Sequence, residues 1–264
     1  MQSNHISFEG PLGAMTPITL EEMDGIKLMN RIDSKYLTNE ETLLKVLDAA
    51  AASGYRALVI EGLPLTRYSS VYYDTPLLGM YYAHRNKHLV RQKVRTRAYL
   101  DAGQAYLEIK RKNNKGRTSK KRTEIPVAEL MDFSADDNAV GYLAKHSWYT
   151  VADISPVLST NFRRITLVNP AMTERLTIDT GLNFENYRTG RKASLEDTVI
   201  IELKQDGRAA SQMKGILLDN RVKPVRVSKY CVAVTLTDPD ARPGRFNLKV
   251  RAIEKTIGKK LTVI

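Results

Sequence analysis

Polar and apolar residues alternate with a period of two along much of this chain, a pattern typical of half-buried β-strands. The clearest case runs from Arg91 to Arg97, where every second residue is basic. Successive side chains of a strand point to opposite faces, so these four should share one face. A row of charge turned towards a core requires an anion, because a buried unpaired charge is very costly. The four residues are Arg91, Lys93, Arg95 and Arg97, and Glu108, Lys110 and Lys112 repeat the pattern in the next predicted strand.

The alternation predicts about nine strands, most of them joined by hairpins. They are expected at residues 29–36, 66–73, 88–100, 104–112, 119–127, 157–168, 175–180, 198–204 and 222–227. Apolar residues at helical spacing predict helices at 38–54 (with Thr38 as its cap), 127–146, 209–220 and 228–236, and a basic amphipathic helix at about 246–258. So many antiparallel strands with charges alternating inwards predict an α+β fold, in which the sheet closes on itself.

Composition adds an anionic partner to this picture. The chain has 264 residues, with 41 basic and 29 acidic side chains and a net charge of +12. Such an excess favours nucleic acid, phosphate-rich molecules or an acidic membrane surface. The single Cys231 excludes an intrachain disulfide, no secretory signal is visible and no apolar stretch approaches membrane-spanning length. We therefore expect one cytoplasmic domain without membrane insertion.

The charged positions favour a phosphate-binding cavity over a solvated sheet. Arg and Lys outnumber the carboxylates on the predicted strands, whereas a solvated sheet has no reason to segregate charge by sign. Arginine binds phosphate oxygens in a bidentate manner and lysine supplies a point charge. Carboxylates in the same cavity predict Mg²⁺ or Mn²⁺ as a cofactor, because these cations prefer oxygen ligands. The sequence contains no glycine-rich P-loop and no kinase signature.

Eight short motifs occur in the order found in one family. They are Arg31-Ile-Asp-Ser-Lys-Tyr36, Ser70-Val-Tyr-Tyr-Asp-Thr75, the row from Arg91 to Arg97, Glu108-x-Lys110, Asn161-Phe-Arg163, Arg175-x-Thr-x-Asp179, Glu202-x-Lys204 and Ser228-Lys-Tyr230. In this respect the chain resembles the VTC domain, the polyphosphate polymerase domain of the vacuolar transporter chaperone complex and of stand-alone bacterial proteins. The resemblance covers residues 27–236 and places the chain among the triphosphate tunnel metalloenzymes.

The resemblance implies a fold, a reaction and a set of site residues. The fold is an antiparallel tunnel of about eight strands with helices packed outside. The reaction passes the γ-phosphate of ATP to a growing polyphosphate chain. The residues implied in catalysis are Lys35, Arg95, Arg97, Lys110, Arg163 and Lys229. Those implied in substrate binding are Arg31, Arg91, Lys93, Lys112, Lys121, Arg175 and Lys204, and Glu202 is similar to the metal-binding glutamate.

Other interpretations stay open at this point. The same tunnel could use water as the acceptor, which would make the protein a triphosphatase. The first motif reads Arg-x-Asp-x-Lys rather than the Glu-x-Glu-x-Lys of hydrolytic relatives, which favours the polymerase branch. A non-catalytic polyphosphate-binding protein is a further alternative. Nucleic acid is disfavoured, because single-strand binders interleave stacking aromatics with their charges and aromatic residues make up only 7% of this chain. The sequence favours no particular oligomeric state.

Overall fold

The structure, a computed structural model, describes residues 6–24, 26, 31–195, 197–207 and 209–264. The strands are β1 (Pro17–Ile18), β2 (Ile32–Asn39), β3 (Arg56–Leu58), β4 (Thr66–Asp74), β5 (Arg91–Tyr99), β6 (Gln104–Lys112), β7 (Thr118–Ile125), β8 (Ser155–Val168), β9 (Glu174–Asn186), β10 (Lys192–Leu195) and β11 (Thr198–Gln205). The helices are α1 (Glu9–Gly13), α2 (Leu20–Asp24), α3 (Glu40–Ala52), α4 (Gly79–Arg85), α5 (Asp137–His146), α6 (Gln212–Asp219), α7 (Lys229–Thr237) and α8 (Phe246–Ile257). Two 3₁₀ turns lie at Leu100–Ala102 and Val127–Leu130.

One antiparallel sheet forms the body of the protein. Its main path runs β2-β11-β9-β8-β4-β5-β6-β7, with β3 and β10 attached at the side and β1 parallel to β3. The sheet curls so strongly that Glu202 on β11 affects the pKa of Lys110 on β6, five strands further along the path. The α+β, tunnel-like fold with a main path of eight strands is therefore confirmed.

The sheet differs from the predicted closed barrel at its two edges. Within the described residues, no ladder of hydrogen bonds joins β2 to β7, so the sheet curls around a concave face without closing. The predicted strand at 222–227 is absent. That segment runs beside β2, where Val225 donates its amide to the Lys35 carbonyl over 2.7 Å and Pro224 makes a single bridge to Tyr36. Pro224 has no amide to donate, which prevents a regular ladder.

The convex side of the sheet carries two apolar layers. On β5 the residues that alternate with the basic row, Gln92, Val94, Thr96 and Ala98, are buried, and the apolar ones pack with Leu107, Ile109 and Leu143 of α5. On the other half, Ile165, Ile178 and Ile201 pack with Leu43 and Leu47 of α3. Burial of one face of every strand fixes the register, because a slip by one residue would exchange the two faces.

Helix α7 is the exception to the prediction that helices pack outside. Its residues Tyr230, Val232 and Val234 belong to an apolar cluster that also contains Tyr72 and Phe162, which project from the concave face. Helix α7 therefore fills part of the concavity. Ser228 caps it as predicted, since its hydroxyl accepts from the Cys231 amide.

Element boundaries differ from the prediction at several places. The predicted strand at 29–36 begins with residues that lie outside the described part of the chain, and β2 extends instead to Asn39. Asn39, not Thr38, caps α3, because its side chain accepts the Thr42 amide over 2.9 Å. The predicted helix at 127–146 is helical only in α5 and one 3₁₀ turn. No helix in the described residues combines the length and hydropathy needed to cross a bilayer.

Candidate functional site

The basic row of β5 lies on the concave face, as the alternation predicts. In the register with β6, Arg91 lies opposite Lys112 and Lys93 opposite Lys110. Directly opposed like charges destabilise a pair of strands. Further along, Arg95 lies opposite Glu108. One wall of the concavity therefore holds positive charge that its own strands do not neutralise.

The facing wall, built by β2, β11, β9 and β8, repeats this arrangement. Lys35 lies opposite Glu202, and Lys204 lies between Asp33 on one side and Arg175 on the other. Arg164 of β8 lies opposite Asp179 of β9. Both walls thus carry alternating basic residues with single carboxylates among them. The arrangement brings together residues that are up to about 200 positions apart in sequence.

Glu108 is the buried acid of the first wall. Its carboxylate accepts hydrogen bonds from Arg95 at 2.8 Å (Nε) and 2.6 Å (Nη2), and it also forms an ion pair with Lys120 of β7. Burial alone would raise the pKa of Glu108, but Arg95, Arg97 and Lys120 outweigh it and hold that pKa well below its usual range. Glu108 is therefore ionised and engaged, so it is a poor proton acceptor.

Asp179 is the buried acid of the second wall, and two basic groups hold it as well. Arg164 binds it in a bidentate manner, at 2.6 and 2.9 Å, and Lys229 at the start of α7 donates to it over 2.5 Å. The Lys229 ammonium also lies 3.2 Å from the centre of the Phe162 ring. Burial would raise the pKa of Asp179, but Arg164 and Lys229 outweigh it and lower that pKa. This cluster attaches the N-terminus of α7 to the concave face.

Arg97 lies between these two clusters and has a different environment. Its side chain is buried, with 6% of the residue exposed, and its Nε donates to the Ser70 hydroxyl over 2.9 Å. Its guanidinium packs near the rings of Tyr68 and Phe162. In the described residues no carboxylate lies within ion-pair distance of it. Burial lowers the pKa of Arg97, and the neighbouring Arg95 and Arg164 lower it further.

The positive potential around Arg97 lowers the pKa of a neighbouring tyrosine, Tyr72. Burial would raise the pKa of Tyr72, yet Arg95, Arg97 and Lys93 outweigh it and lower that pKa. Arg95 also donates to the Tyr72 hydroxyl over 3.2 Å. A buried tyrosine whose pKa falls marks a region where an anion is stabilised.

Glu202 lies among lysines on the second wall. Its carboxylate is 3.2 Å from the Lys35 ammonium and 3.9 Å from that of Lys204. Burial would raise its pKa, but Lys35, Lys204 and Lys110 lower it to about 2. Burial in turn lowers the pKa of Lys204 to about 8, although Glu202 opposes this. Lys110 stays solvent-accessible, but partial burial also lowers its pKa.

The remaining basic residues of the concave face lie near strand ends or beside α7. Arg31 forms an ion pair with Asp33 at 2.6 Å, and both are largely exposed. Arg91 donates to the His88 carbonyl. Lys93 donates to the Ser228 hydroxyl over 2.9 Å, which provides a second contact between the basic row and the start of α7. Lys112 and Arg175 share the concave face by register.

Two predicted residues lie on the opposite face of the sheet. Arg163 is exposed and pairs with Arg67, so it lies on the convex side, whereas the next residue, Arg164, lies opposite Asp179 on the concave face. Lys121 lies opposite the buried Ile109 of β6, so it points to the convex side. Lys120, its neighbour, reaches the concave face and Glu108. The predictions that Arg163 and Lys121 line the tunnel are wrong, and Arg164 and Lys120 occupy those places.

The donor set of the concave face fits a metal ion only when a substrate brings further ligands. Within the described residues, no three Asp, Glu, His or Cys side chains lie close enough to hold a metal ion. Glu108 and Asp179 are each held by an arginine at 2.6 Å and by a lysine, whereas Glu202 has two lysines at 3.2 and 3.9 Å and no arginine bound to it in the described residues. Mg²⁺ is commonly bound by one or two carboxylates together with substrate phosphates and water. Glu202 fits that single-carboxylate role.

Comparison with known proteins agrees with this geometry. A family profile described as the VTC domain matches residues 30–237. The chain belongs to the VTC domain family. Among the curated proteins, no sequence matches this VTC domain.

Solved structures resemble this VTC domain at low sequence identity. One is a candidate adenylyl cyclase from Hippeastrum, described as having a dominant triphosphatase activity. It has 15% identity and a TM-score of 0.52, and the alignment covers 78% of this chain and 95% of that one. Another is a candidate adenylate cyclase from Bacillus halodurans, with 14% identity, a TM-score of 0.49 and coverage of 76% and 96%. At this level of identity the likeness concerns the fold.

Proposed function

We propose that this VTC domain transfers the terminal phosphoryl group of ATP to the end of a polyphosphate chain bound along the concave face. The observation that carries the proposal is the environment of Arg97: a buried guanidinium that pairs with no carboxylate of the described residues, in a region positive enough to lower the pKa of Tyr72. Such a charge is costly without a counter-ion. Phosphate oxygens supply that counter-ion and accept its remaining N–H donors.

The basic row of β5 sets the length of the binding site. From Arg91 to Arg97 the strand spans roughly 20 Å, at about 3.3 Å per residue. Several linked phosphates fit along this distance. Arg95, Arg97 and Lys110 bind the reacting phosphates in this proposal, with Lys35, Arg164 and Lys229 on the facing wall. Arg91, which begins β5, and Lys112, which ends β6, then contact one part of the phosphate chain, while Lys93, Arg175 and Lys204 contact it further along.

The reaction is a single displacement at phosphorus. An oxygen of the terminal phosphate of the chain forms a bond to the γ-phosphorus of ATP. The bond from that phosphorus to the β,γ-bridging oxygen breaks, and ADP leaves with the bonding electron pair. Catalysis of this step is mainly positioning and stabilisation of charge on the transferred group. The fixed guanidinium groups of Arg95 and Arg97 provide both.

The acid–base properties of the site support polyphosphate rather than water as the acceptor. Glu108, Asp179 and Glu202 all have lowered pKa values, so none is suited to take a proton from water near neutral pH. A terminal phosphate is already largely ionised at that pH and needs no base. The triphosphatase alternative keeps support from the Hippeastrum protein, which is described as having that activity.

A divalent cation fits this proposal at Glu202. Bound together with the nucleotide, Mg²⁺ or Mn²⁺ would neutralise phosphate oxygens and so favour attack at the γ-phosphorus. Glu202 would supply one carboxylate ligand, and its affinity for the cation competes with its ion pair to Lys35. Lys35 and Lys204 would then be released to contact phosphate.

The test follows both products of the reaction. Purified protein is incubated with ATP, Mn²⁺ and a short polyphosphate primer, the polymer is separated on a gel and free phosphate is measured in parallel. Long polymer without an equal amount of free phosphate is the expected result. Free phosphate alone would establish the triphosphatase instead. The absence of both products would contradict both reactions, and the protein would then be a non-catalytic binding protein.

A further inference from the structure

Lys121 belongs to a compact group of residues on the convex side of the sheet, away from the concave site. Arg111 shares this face because its register partner is Ser119, two residues from Lys121. The C-terminal end of α5 and the residues after it complete the group with Lys145, His146 and Trp148. We call these five residues, Arg111, Lys121, Lys145, His146 and Trp148, the outer basic surface.

Contacts show that the outer basic surface is a continuous patch. The Arg111 guanidinium lies 4.9 Å from the centre of the Trp148 ring, and its Nη1 donates to the His146 carbonyl over 3.5 Å. Burial, followed by the charges of Lys121, Lys145 and Arg111, lowers the pKa of His146. All three cations are therefore close to one imidazole. None of them forms an ion pair in the described part of the chain.

Helix electrostatics explain only part of this patch. Lys145 and His146 occupy the last turn of α5, where positive charge stabilises the helix. This reason does not apply to Arg111 or Lys121, which lie on strands. It also does not explain why Trp148, with 45% of its surface exposed, lies against the Arg111 guanidinium.

The outer basic surface connects to the concave face around the edge of the sheet. Strand β7 is an edge strand, and its three consecutive basic residues alternate: Lys120 and Arg122 lie on the concave side and Lys121 on the convex side. The hairpin between β6 and β7 adds Lys115 and Arg117, both exposed. A polyanion that leaves the concave face over this edge therefore meets positive charge without interruption.

We propose that the outer basic surface binds the part of a long polyphosphate chain that extends beyond the concave face. This rests on the proposed function, because it assigns a second contact to the same polymer. A phosphate chain fits better than single-stranded nucleic acid. Nucleic-acid binders offer aromatic faces to bases, whereas here the Arg111 guanidinium already covers the Trp148 ring. The ring and the His146 carbonyl hold the arginine in place, and its other N–H groups would donate to phosphate oxygens.

Trp148 gives this surface its own signal, because it is the only tryptophan of the chain. Tryptophan fluorescence of the full protein is recorded during titration with long-chain polyphosphate, with tripolyphosphate and with a single-stranded oligonucleotide. We expect a saturable change with long polyphosphate and none with tripolyphosphate, which is too short to reach both faces.

The matching variant is the double substitution Lys121→Glu and Lys145→Glu, which changes two exposed side chains. Its control is Lys45→Glu with Lys214→Glu, two exposed lysines on α3 and α6 with the same change in net charge. The first variant should bind long polyphosphate about tenfold more weakly at low salt, a difference that shrinks as salt rises. Its tripolyphosphate affinity should match the wild type, and the control should stay within about twofold of it.

Three results would overturn the proposal. Equal weakening of both double variants would show that only net charge matters, and no weakening of either would exclude a contact at this surface. A Trp148 response to the oligonucleotide but not to polyphosphate would make the surface a nucleic-acid site. Failure of the proposed function looks different: the protein would make no polymer, yet the Trp148 response to added polyphosphate would persist.

Discussion

Replacing Arg97 by methionine tests whether this buried cation serves the ligand or the fold. The substitution keeps the apolar stem between Tyr68 and Phe162 and removes the charge together with its hydrogen bond to Ser70. The lost hydrogen bond costs about 1 kcal/mol. Removing an unpaired buried charge that lies beside Arg95 and Arg164 offsets this, because isosteric apolar replacements of buried charges are often neutral or stabilising by about 1–4 kcal/mol. The variant without ligand should be as stable as the wild type or up to about 2 kcal/mol more stable.

Binding should change in the opposite direction. A charge-assisted hydrogen bond to phosphate contributes about 1.5–3 kcal/mol, so its loss raises the Kd for tripolyphosphate about 10-fold to 100-fold. At a ligand concentration of about 100 times the wild-type Kd, the wild type gains about 2.7 kcal/mol of stability. A variant with a 30-fold higher Kd gains only about 0.9 kcal/mol at that concentration.

Thermal unfolding with and without tripolyphosphate measures both quantities. For a chain of this size, 1 kcal/mol corresponds to about 2–4 °C in Tm. Arg95→Met serves as the matched control, because it removes a guanidinium from the same strand but leaves the buried Glu108 with Lys120 alone. That variant should lose up to about 3 kcal/mol of stability even without ligand.

The reasoning fails if Arg97→Met lowers the Tm as much as Arg95→Met does and keeps the wild-type response to tripolyphosphate. Arg97 would then be a structural residue, and the main argument for an anion at the centre of the concave face would be lost.

Three further predictions concern the two walls. Glu202→Gln frees Lys35 and Lys204, so the affinity for tripolyphosphate without metal, measured by titration, should rise about threefold. Metal-dependent turnover, measured by product assay, should fall at least about tenfold. Turnover equal to that of the wild type would show that Glu202 does not belong to the metal site. Lys204 has a pKa of about 8 in the free protein because of its burial, and a bound triphosphate favours the ammonium form. Binding should therefore take up protons above about pH 8 and weaken as pH rises, and equal calorimetric enthalpies in two buffers of different ionisation enthalpy would contradict this. Finally, Lys120→Ala should weaken tripolyphosphate binding several-fold and Lys121→Ala should not; equal effects would mean that the two faces of β7 are assigned wrongly.

The sequence predicts the basic row of β5 well because alternation depends only on local geometry. Arg91 to Arg97 lie within one regular strand, and the buried residues between them fix which face is concave. The same holds for Glu202 and Lys204 on β11. Wherever a strand is regular and one face is buried, a period of two assigns each side chain to the correct face of the sheet.

The errors occur in β7 and β8. In β8, Arg163 is in phase with the buried Ile165 and Leu167 of the convex side, so alternation counted from these residues places Arg164, not Arg163, on the concave face. In β7 both neighbours of Lys120 are polar or basic and most of the strand is exposed, so no buried row shows which lysine points inwards. The one signal is the apolar Ile125, which, counted backwards by twos, places Lys121 on the convex side.

Pairing between distant strands could not be predicted in the same way. The sequence identifies Asp179 as a charged strand residue, but its two partners come from β8 and α7. Likewise Tyr230 donates to the buried Asp74 over 2.6 Å, a contact that joins α7 to the end of β4. Such contacts depend on how the sheet curls, which is a property of the whole chain.

The pairing of β2 with β11 also determines when the concave site forms during synthesis and folding. Residues 32–39 can pair with a strand of the second wall only after residues 198–205 have been synthesised, and Asp179 can pair with Lys229 only after that residue has been synthesised. During synthesis the basic rows of β5 and β6 therefore emerge and pair well before the facing wall is present. Contacts so distant in sequence form slowly. In the proposed function a polyanion is held by both walls, so it would stabilise only the fully folded protein. It would then favour the last step of folding by binding to the charges that also hold the proposed substrate.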